Sequence, residues 1–343
     1  MTEQNPPAAE GESAAAPVLN FKDLTTANIT PNVHAINSSC ADPRTKFLLD
    51  RLVAHLHDYA RETRLTQGEW ATAIKFLVEA GQISTDARQE LILLSDILGL
   101  SVLVDGIDHP TPPGATEGTV LGPFHVDDGP QHASLGAQIS ADADGDSLLV
   151  VGTVADTAGN PIPDVEIDVW ETDSKGFYDV QYKDRAPDAF DGRAVLRSDK
   201  DGKFWFKAIV PVPYPIPDDG PVGRLLKGTL KRHVWRPAHM HFMFKKSGWE
   251  PLTTALYVRG SPYETTDAVF GVKESLIVDV GQVSDREGFA EQYSVSADTK
   301  LLTYDFVLAG IEETAELRRK EAQKVADADS SVQVLDNGLL VQK

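Results

Sequence analysis

Between Thr45 and Arg64 the apolar positions Leu49, Leu52, Val53, Leu56, Tyr59 and Ala60 recur at helical spacing and form one apolar stripe. Thr66-Gln-Gly-Glu69 has the form of a capping box, so a second helix starts there, with Trp70, Ile74, Phe76 and Leu77 as its apolar contacts. A third helix is predicted from near Asp86. Its apolar run, residues 91–104, is interrupted by Ser95, Asp96, Gly99 and Ser101 and is shorter than the ~18–20 residues of a membrane span. It therefore reads as a buried helix, packed against its neighbours and the following domain or against another subunit.

After Thr111-Pro-Pro-Gly114 the period changes. Short alternating strands separated by turn signals predict a β-sandwich. Val165, Ile167 and Val169 alternate with Glu166 and Asp168, and Asp199-Lys-Asp-Gly202 makes a turn before a strand at 204–210. Further strands are predicted at 239–244, 253–258, 275–280 and 300–307, and a charged helix at 312–326 closes the ordered part. The expected organisation is a disordered tail (1–30), a helical domain (31–115), a β-sandwich (116–310) and a C-terminal helix and tail (311–343), an α+β chain.

Composition narrows the function. The 343 residues carry a formal net charge of −20, which argues against nucleic-acid binding, since phosphate backbones are held by clustered Lys and Arg. Cys40 is the only cysteine, so an intrachain disulfide and a cysteine-cluster metal site are both excluded. The first residues, MTEQNPPAAEGESAAAPV, lack a basic segment followed by an apolar one and so do not read as a signal peptide; the expected location is the cytoplasm.

The chemistry concentrates in Arg236-Pro-Ala-His239-Met-His241-Phe. Two histidines two apart on a strand project from one face, where both can ligate one metal. Upstream, Tyr178 closes VWETDSKGFY after a glycine turn, and Tyr214 stands between prolines in VPVPYPIP. Together they suggest a Tyr₂His₂ site. A phenol titrates near ~10, so a metal that holds two phenolates at neutral pH is a hard, strongly acidic cation, and Fe(III) is the natural choice.

With these residues in place, the chain resembles the intradiol ring-cleavage dioxygenases, whose signature is two tyrosines and a His-x-His pair on non-haem Fe(III). The resemblance covers roughly residues 115–279 through LGPF (121–124), GFYDVQY (176–182), YPIPDDGPVGRLL (214–226), RHVWRPAHMHF (232–242) and FGVKESLIVDV (270–280). It implies Tyr178, Tyr214, His239 and His241 as ligands of one Fe(III) per subunit, with Tyr214 as the ligand that leaves, and it places Arg236 beside the substrate to stabilise charge on the ring. An aromatic diol and O₂ are the implied substrates. The resemblance also implies an N-terminal helical segment that joins two protomers, a β-sandwich carrying the iron, and a phospholipid at the helical interface.

The diol is read from one residue. Asp96, in LILLSDILGLS, is a carboxylate in an otherwise apolar helix and needs a partner. The additional hydroxyl of hydroxyquinol would supply one, and the motif looks closest to the hydroxyquinol branch. The bland alternative is an Asp bonded to nearby backbone or to an Arg. Leu93, Leu121, Gly122, Pro123, Phe124, Ile216, Pro217 and Val258 are the candidate walls. Many catechol-type relatives have Gln after the paired threonines, whereas this chain has Thr253-Thr254-Ala255, so catechol, or both diols, remain alternative substrates.

Other signals are weaker. His55 and His57 are ordinary helix residues; His233 reads as structural; His34, His109, His125 and His132 fall in loops without partner spacing. Asp142-Ala-Asp144-Gly-Asp146 fails as a calcium loop, because Ser140 and Val151 occupy ligand positions. A cupin site would want Glu where Phe244 and Lys245 stand. Extradiol cleavage would want two His and a carboxylate. A function of a different class, a metal-free β-sandwich binding module, is carried by GTVADTAGNPIPDVEIDVWE, a pattern shared with adhesion and transthyretin-like domains.

Overall fold

The computed structural model describes residue 19 and residues 21–85, 88–126, 132–186 and 189–343. Asp86, the predicted start of the third helix, lies outside the described residues, as do 1–18 and 20 of the predicted tail. Helix α1 (Ile29–Ile36) leads into α2 (Pro43–Glu62), where the Asp42 side chain accepts from the Thr45 N–H at 2.7 Å and Pro43 sits in the first turn. The α2 stripe forms as predicted, and Leu49, Leu52, Leu56 and Tyr59 on it are exposed. The capping box is also real: the Glu69 carboxylate accepts from the Thr66 N–H at 2.9 Å, and the Thr66 hydroxyl accepts from the Glu69 N–H at 3.3 Å, opening α3 (Gln67–Ile83).

The third helix needs correction. Gly99 adopts φ +74°, a left-handed value that glycine tolerates, and splits it into α4 (Glu90–Ile97) and α5 (Leu100–Asp108). Only part of this run is buried. Leu93, Asp96 and Ile97 point inward, while Leu91, Ile92, Leu103 and Ile107 are exposed. Among the described residues no helix is long and apolar enough to cross a membrane.

Strands β1 (Ser147–Asp156), β2 (Glu166–Trp170), β3 (Arg193–Arg197) and β4 (Lys203–Ile209) begin two mixed sheets. The two-residue strands β5 (Tyr214–Pro215) and β6 (Trp235–Arg236) pair with each other, flanking a helical turn α6 (Pro221–Gly223) that runs into a π-helix at Arg224–Thr229. Next come β7 (His239–Lys245), β8 (Leu252–Val258), β9 (Ile277–Val278), β10 (Gly281–Gln282), the short helix α7 (Phe289–Tyr293) and β11 (Lys300–Leu308). One sheet has the order β10-β11-β1-β4 and the other β3-β2-β7-β8-β9. Leu148, Val150, Phe204, Phe206 and Phe306 from the first meet Ile167, Val169, Phe242, Phe244 and Leu256 from the second in one buried core. In the predicted strand at 275–280 the first two residues belong to a 3₁₀ turn, Glu274–Leu276, and only Ile277–Val278 pairs with β8.

Helix α8 (Ile311–Ala328) is not the last element. A hairpin follows, β12 (Val332–Val334) with β13 (Leu340–Gln342), closed by a turn in which Gly338 has φ +82°. Its alternation is too short to stand out in the sequence, so the closing tail of the sequence reading is here replaced by paired strands. The chain forms two compact units. One joins the described residues up to Trp70 with Ala322–Lys343, and the other is Ala71–Glu321, which holds both large sheets.

Candidate active site

Strand β7 is buried on both faces. Met240, Phe242 and Phe244 enter the sandwich core, and the alternation sends His239 and His241 to the opposite face. Register then builds the site: His241 lies between Trp170 of β2 and Ala255 of β8, and His239 lies opposite Tyr257. The Trp170 indole stacks on the His241 ring, centroids 4.9 Å apart and planes 5° apart. His239 is fixed by its Nδ1–H, which donates to the Pro237 carbonyl at 2.7 Å and leaves Nε2 with its lone pair.

Two loops bring the tyrosines. The Tyr178 N–H donates to Gln181 Oε1 at 2.8 Å, while Asp179 forms a buried ion pair with Arg193, whose Nη1 donates to the Phe124 carbonyl at 3.1 Å. Phe124 stacks on the Tyr178 ring with centroids 4.6 Å apart. Tyr214 is held between Pro213 and Pro215 by pairing opposite Arg236, and its ring meets that of Tyr178 edge-on at 5.4 Å. Gly176 permits this approach: it has φ +81°, and a Cβ there would lie 3.0 Å from the Tyr214 Cβ.

The donor set has the character of a metal site. His239 Nε2 and His241 Nε2 converge at 3.1 Å, and the buried Tyr178 hydroxyl has no hydrogen-bond partner. Burial pushes both imidazoles well below their usual range, reinforced by the Arg236 charge at His239 and by His239 at His241, so both stay neutral. Burial, and then Tyr214, push the Tyr178 phenol well above its usual value, so only a strong nearby cation would hold it as a phenolate. A buried, unpartnered phenol beside two converging neutral imidazoles fits a hard trivalent cation. Among the described residues, no group of three or more His, Cys, Asp or Glu could hold a metal.

Residues 120–310 match the family described as Dioxygenase, and residues 42–116 match the family described as Catechol dioxygenase N terminus. The chain is 60% identical over 321 residues to the intradiol ring-cleavage dioxygenase hqdA of Aspergillus niger, covering 94% of this chain and 96% of that one. The chain belongs to the intradiol ring-cleavage dioxygenases. It is 47% identical to a hydroxyquinol 1,2-dioxygenase of a Rhizobium species, covering 79% of this chain and 90% of the relative. The crystal structure of a hydroxyquinol 1,2-dioxygenase from Pseudomonas putida DLL-E4 superposes with a TM-score of 0.75 at 40% identity, covering 83% of this chain and 98% of that one. Membership in this dioxygenase family makes the chain an enzyme and replaces the binding-module reading.

Around this dioxygenase site the candidate walls divide. Gly122 lies over His241, where an added Cβ would be 3.5 Å from Nε2, and Phe124 closes the Tyr178 side. Leu93 and Ile216 share one buried cluster with Ile97, Val222 and Leu226. Pro123, Pro217 and Val258 are half-buried, and Leu121 is exposed. Asp96 is buried on α4. Burial pushes its carboxyl up, opposed by the Ser101 hydroxyl and the Arg236 charge and reinforced by Asp267.

Four residues escaped the sequence reading. Asp267 and Tyr257 both bond Arg236, Trp170 stacks on His241, and His125 is no bland loop residue, because its ring lies 2.8 Å from Asp168 and edge-on to Trp170. His34, too, lies in α1 rather than in a loop. His233 is structural, as expected: its Nδ1 accepts from the Trp235 N–H.

Proposed function

We propose that this chain cleaves hydroxyquinol between its two adjacent hydroxylated carbons, inserting both atoms of O₂ to give 3-hydroxy-cis,cis-muconate, the enol form of maleylacetate. The observation that carries the choice of diol is Asp96, a buried carboxylate on α4 that feels the Arg236 charge. The hydroxyquinol 1,2-dioxygenases among the relatives support the same reading. Tyr178, Tyr214, His239 and His241 would hold one Fe(III) per subunit. Two phenolates and two neutral imidazoles would leave that ion one formal positive charge, which would favour a dianionic diol, and a redox-active Fe(III) would supply the activation of that diol toward O₂.

The remaining work falls to the side chains. Tyr214, whose oxygen is 3.3 Å from Arg236 Nη1, is the phenolate that takes up a diol proton, and the guanidinium then steadies the phenol. Arg236, 1% exposed, offers a fixed cation to the negative charge that builds on the ring. Trp170 and the Pro237 carbonyl hold the two imidazoles in orientation. Asp96 accepts a hydrogen bond from the third hydroxyl, which catechol lacks.

Oxygen uptake by iron-loaded protein, with product spectra, tests the reading on hydroxyquinol and catechol separately. Asp96→Ala is expected to lower hydroxyquinol turnover selectively, up to the ~10⁴-fold that a site built around a substrate hydroxyl can discriminate. Equal losses on both diols would sink the role of Asp96, and preference for catechol in the unaltered protein would reassign the substrate. A red colour from phenolate-to-Fe(III) charge transfer reports the ligand set independently of turnover.

The exposed apolar faces of α2 and, separately, of α4 and α5 support a homodimer joined through helices, and phospholipid acyl chains are the other apolar partner such faces would accept. Sedimentation as a monomer at micromolar concentration would contradict the dimer. The single thiol, half-buried Cys40, is consistent with residence in the cytoplasm.

A further inference from the structure

The Arg236 guanidinium has five N–H groups, and three of them are spent on one edge. Nε donates to Asp267 Oδ1 at 3.1 Å, and Nη2 donates to Asp267 Oδ2 at 3.2 Å and to the Tyr257 hydroxyl at 3.2 Å. Nη1 alone faces the site, 3.3 Å from the Tyr214 oxygen and 3.1 Å from His239 Nε2. One edge of the cation is thus clamped, and the other is presented to the chemistry.

The clamp is itself held. Asp267 Oδ1 also accepts from the Val269 N–H at 3.3 Å and Oδ2 from the Gly271 N–H at 2.9 Å, so the carboxylate is wrapped by its own loop. A Cβ at Gly271 would lie 2.7 Å from the Tyr257 oxygen and 2.9 Å from Arg236 Nη2, which leaves no slack around the pair. The Gly271 carbonyl accepts from the Thr119 hydroxyl at 2.7 Å, and the Ala268 carbonyl accepts from Arg232 at 2.9 Å. Phe270 takes φ +60°, unusual for an aromatic residue, under the Arg232 guanidinium 4.8 Å from its ring centre. These contacts hold Asp267 on the side of Arg236 away from the reaction.

We propose that Asp267 is a positioning residue for ring cleavage: it selects the guanidinium edge that meets the substrate and neutralises a cation that would otherwise stand unpaired in a buried site. The inference rests on the ring-cleavage reading above. Without the carboxylate, Arg236 would be drawn toward the Tyr214 phenolate before the diol binds, and once that phenolate has taken up the diol proton nothing would hold the guanidinium edge toward the ring. The loss would fall on the transition state more than on substrate binding.

Asp267→Asn keeps the shape and removes the charge. In iron-loaded protein its kcat on the diol is expected to fall about 10²-fold with KM far less changed, the scale on which one preorganised donor acts. The visible charge-transfer band should move to shorter wavelength, because a guanidinium drawn toward Tyr214 lowers the energy of that phenolate. Tyr257→Phe, which takes one brace from the same edge while keeping the ring, is expected to shift kcat and band in the same direction by less. A lower melting temperature with kcat per bound iron and band both unchanged would reduce Asp267 to a loop tie and overturn the proposal. If Asp267→Asn does not fold, Tyr257→Phe decides: an unmoved band and unmoved kcat refute the clamp. A colourless, inactive unaltered protein would instead overturn the ring-cleavage reading, and this inference with it.

Discussion

A single missing methyl group sets the distance between the two tyrosine loops. Gly176 combines φ +81° with a backbone close enough to Tyr214 that a Cβ would reach 3.0 Å from its Cβ. Gly176→Ala is expected to cost about 1–2 kcal/mol from the left-handed conformation alone, read as a lower denaturant midpoint, and to move the visible band of iron-loaded protein because Tyr214 is displaced. At this scale the sequence was legible where chemistry follows local pattern. His239 and His241 share a strand face because side chains alternate, and Tyr178 and Tyr214 are conspicuous beside glycine and proline. Asp267 and Tyr257 were not legible, since nothing local in TTDAVFG or TALYV names an arginine 31 or 21 residues away as the partner. Trp170 was hidden for the same reason: its contact with His241 is a register fact that exists only once β2 pairs with β7.

Elements were readable in proportion to their independence from the rest of the fold. Helices α2 and α3 carry their own caps, and β2, β4, β7, β8 and β11 carry period-2 alternation, so spacing located them. The segment from 86 to 108 misled because composition cannot distinguish one buried helix from two helices joined at Gly99 with one face uncovered. The 275–280 stretch is apolar enough for a strand, yet only two of its residues find a neighbour. In β1, Gly152 lies directly against the Phe204 ring, close enough that any Cβ would collide with it. Gly152→Ala should cost about 1–3 kcal/mol, as overpacking of a tight core does, and the loss should appear as a lower thermal midpoint with the visible band unchanged, because Phe204 faces the core and not the tyrosines.

The whole molecule carries a net charge of −20 around a site that would hold a trivalent cation. Binding at that site would tie together two loops and a strand and would give a partner to the buried Tyr178 hydroxyl, which has none. Metal removal by a chelator is therefore expected to bleach the protein and lower its melting temperature, by an amount that grows with the logarithm of the metal concentration used in the reference sample. A midpoint indifferent to metal would mean that the pocket is fully formed and stable without it.

The hairpin β12–β13 has a consequence for synthesis. Its second strand packs on α2, and the Leu340 carbonyl accepts a hydrogen bond from Arg44, 296 residues earlier. On the ribosome, Arg44 of α2 emerges 296 residues ahead of Leu340 of β13, whereas the strands around the histidines are complete after β11. The two-sheet unit can therefore close first, while α2 stays without its β13 partner until the hairpin has been made.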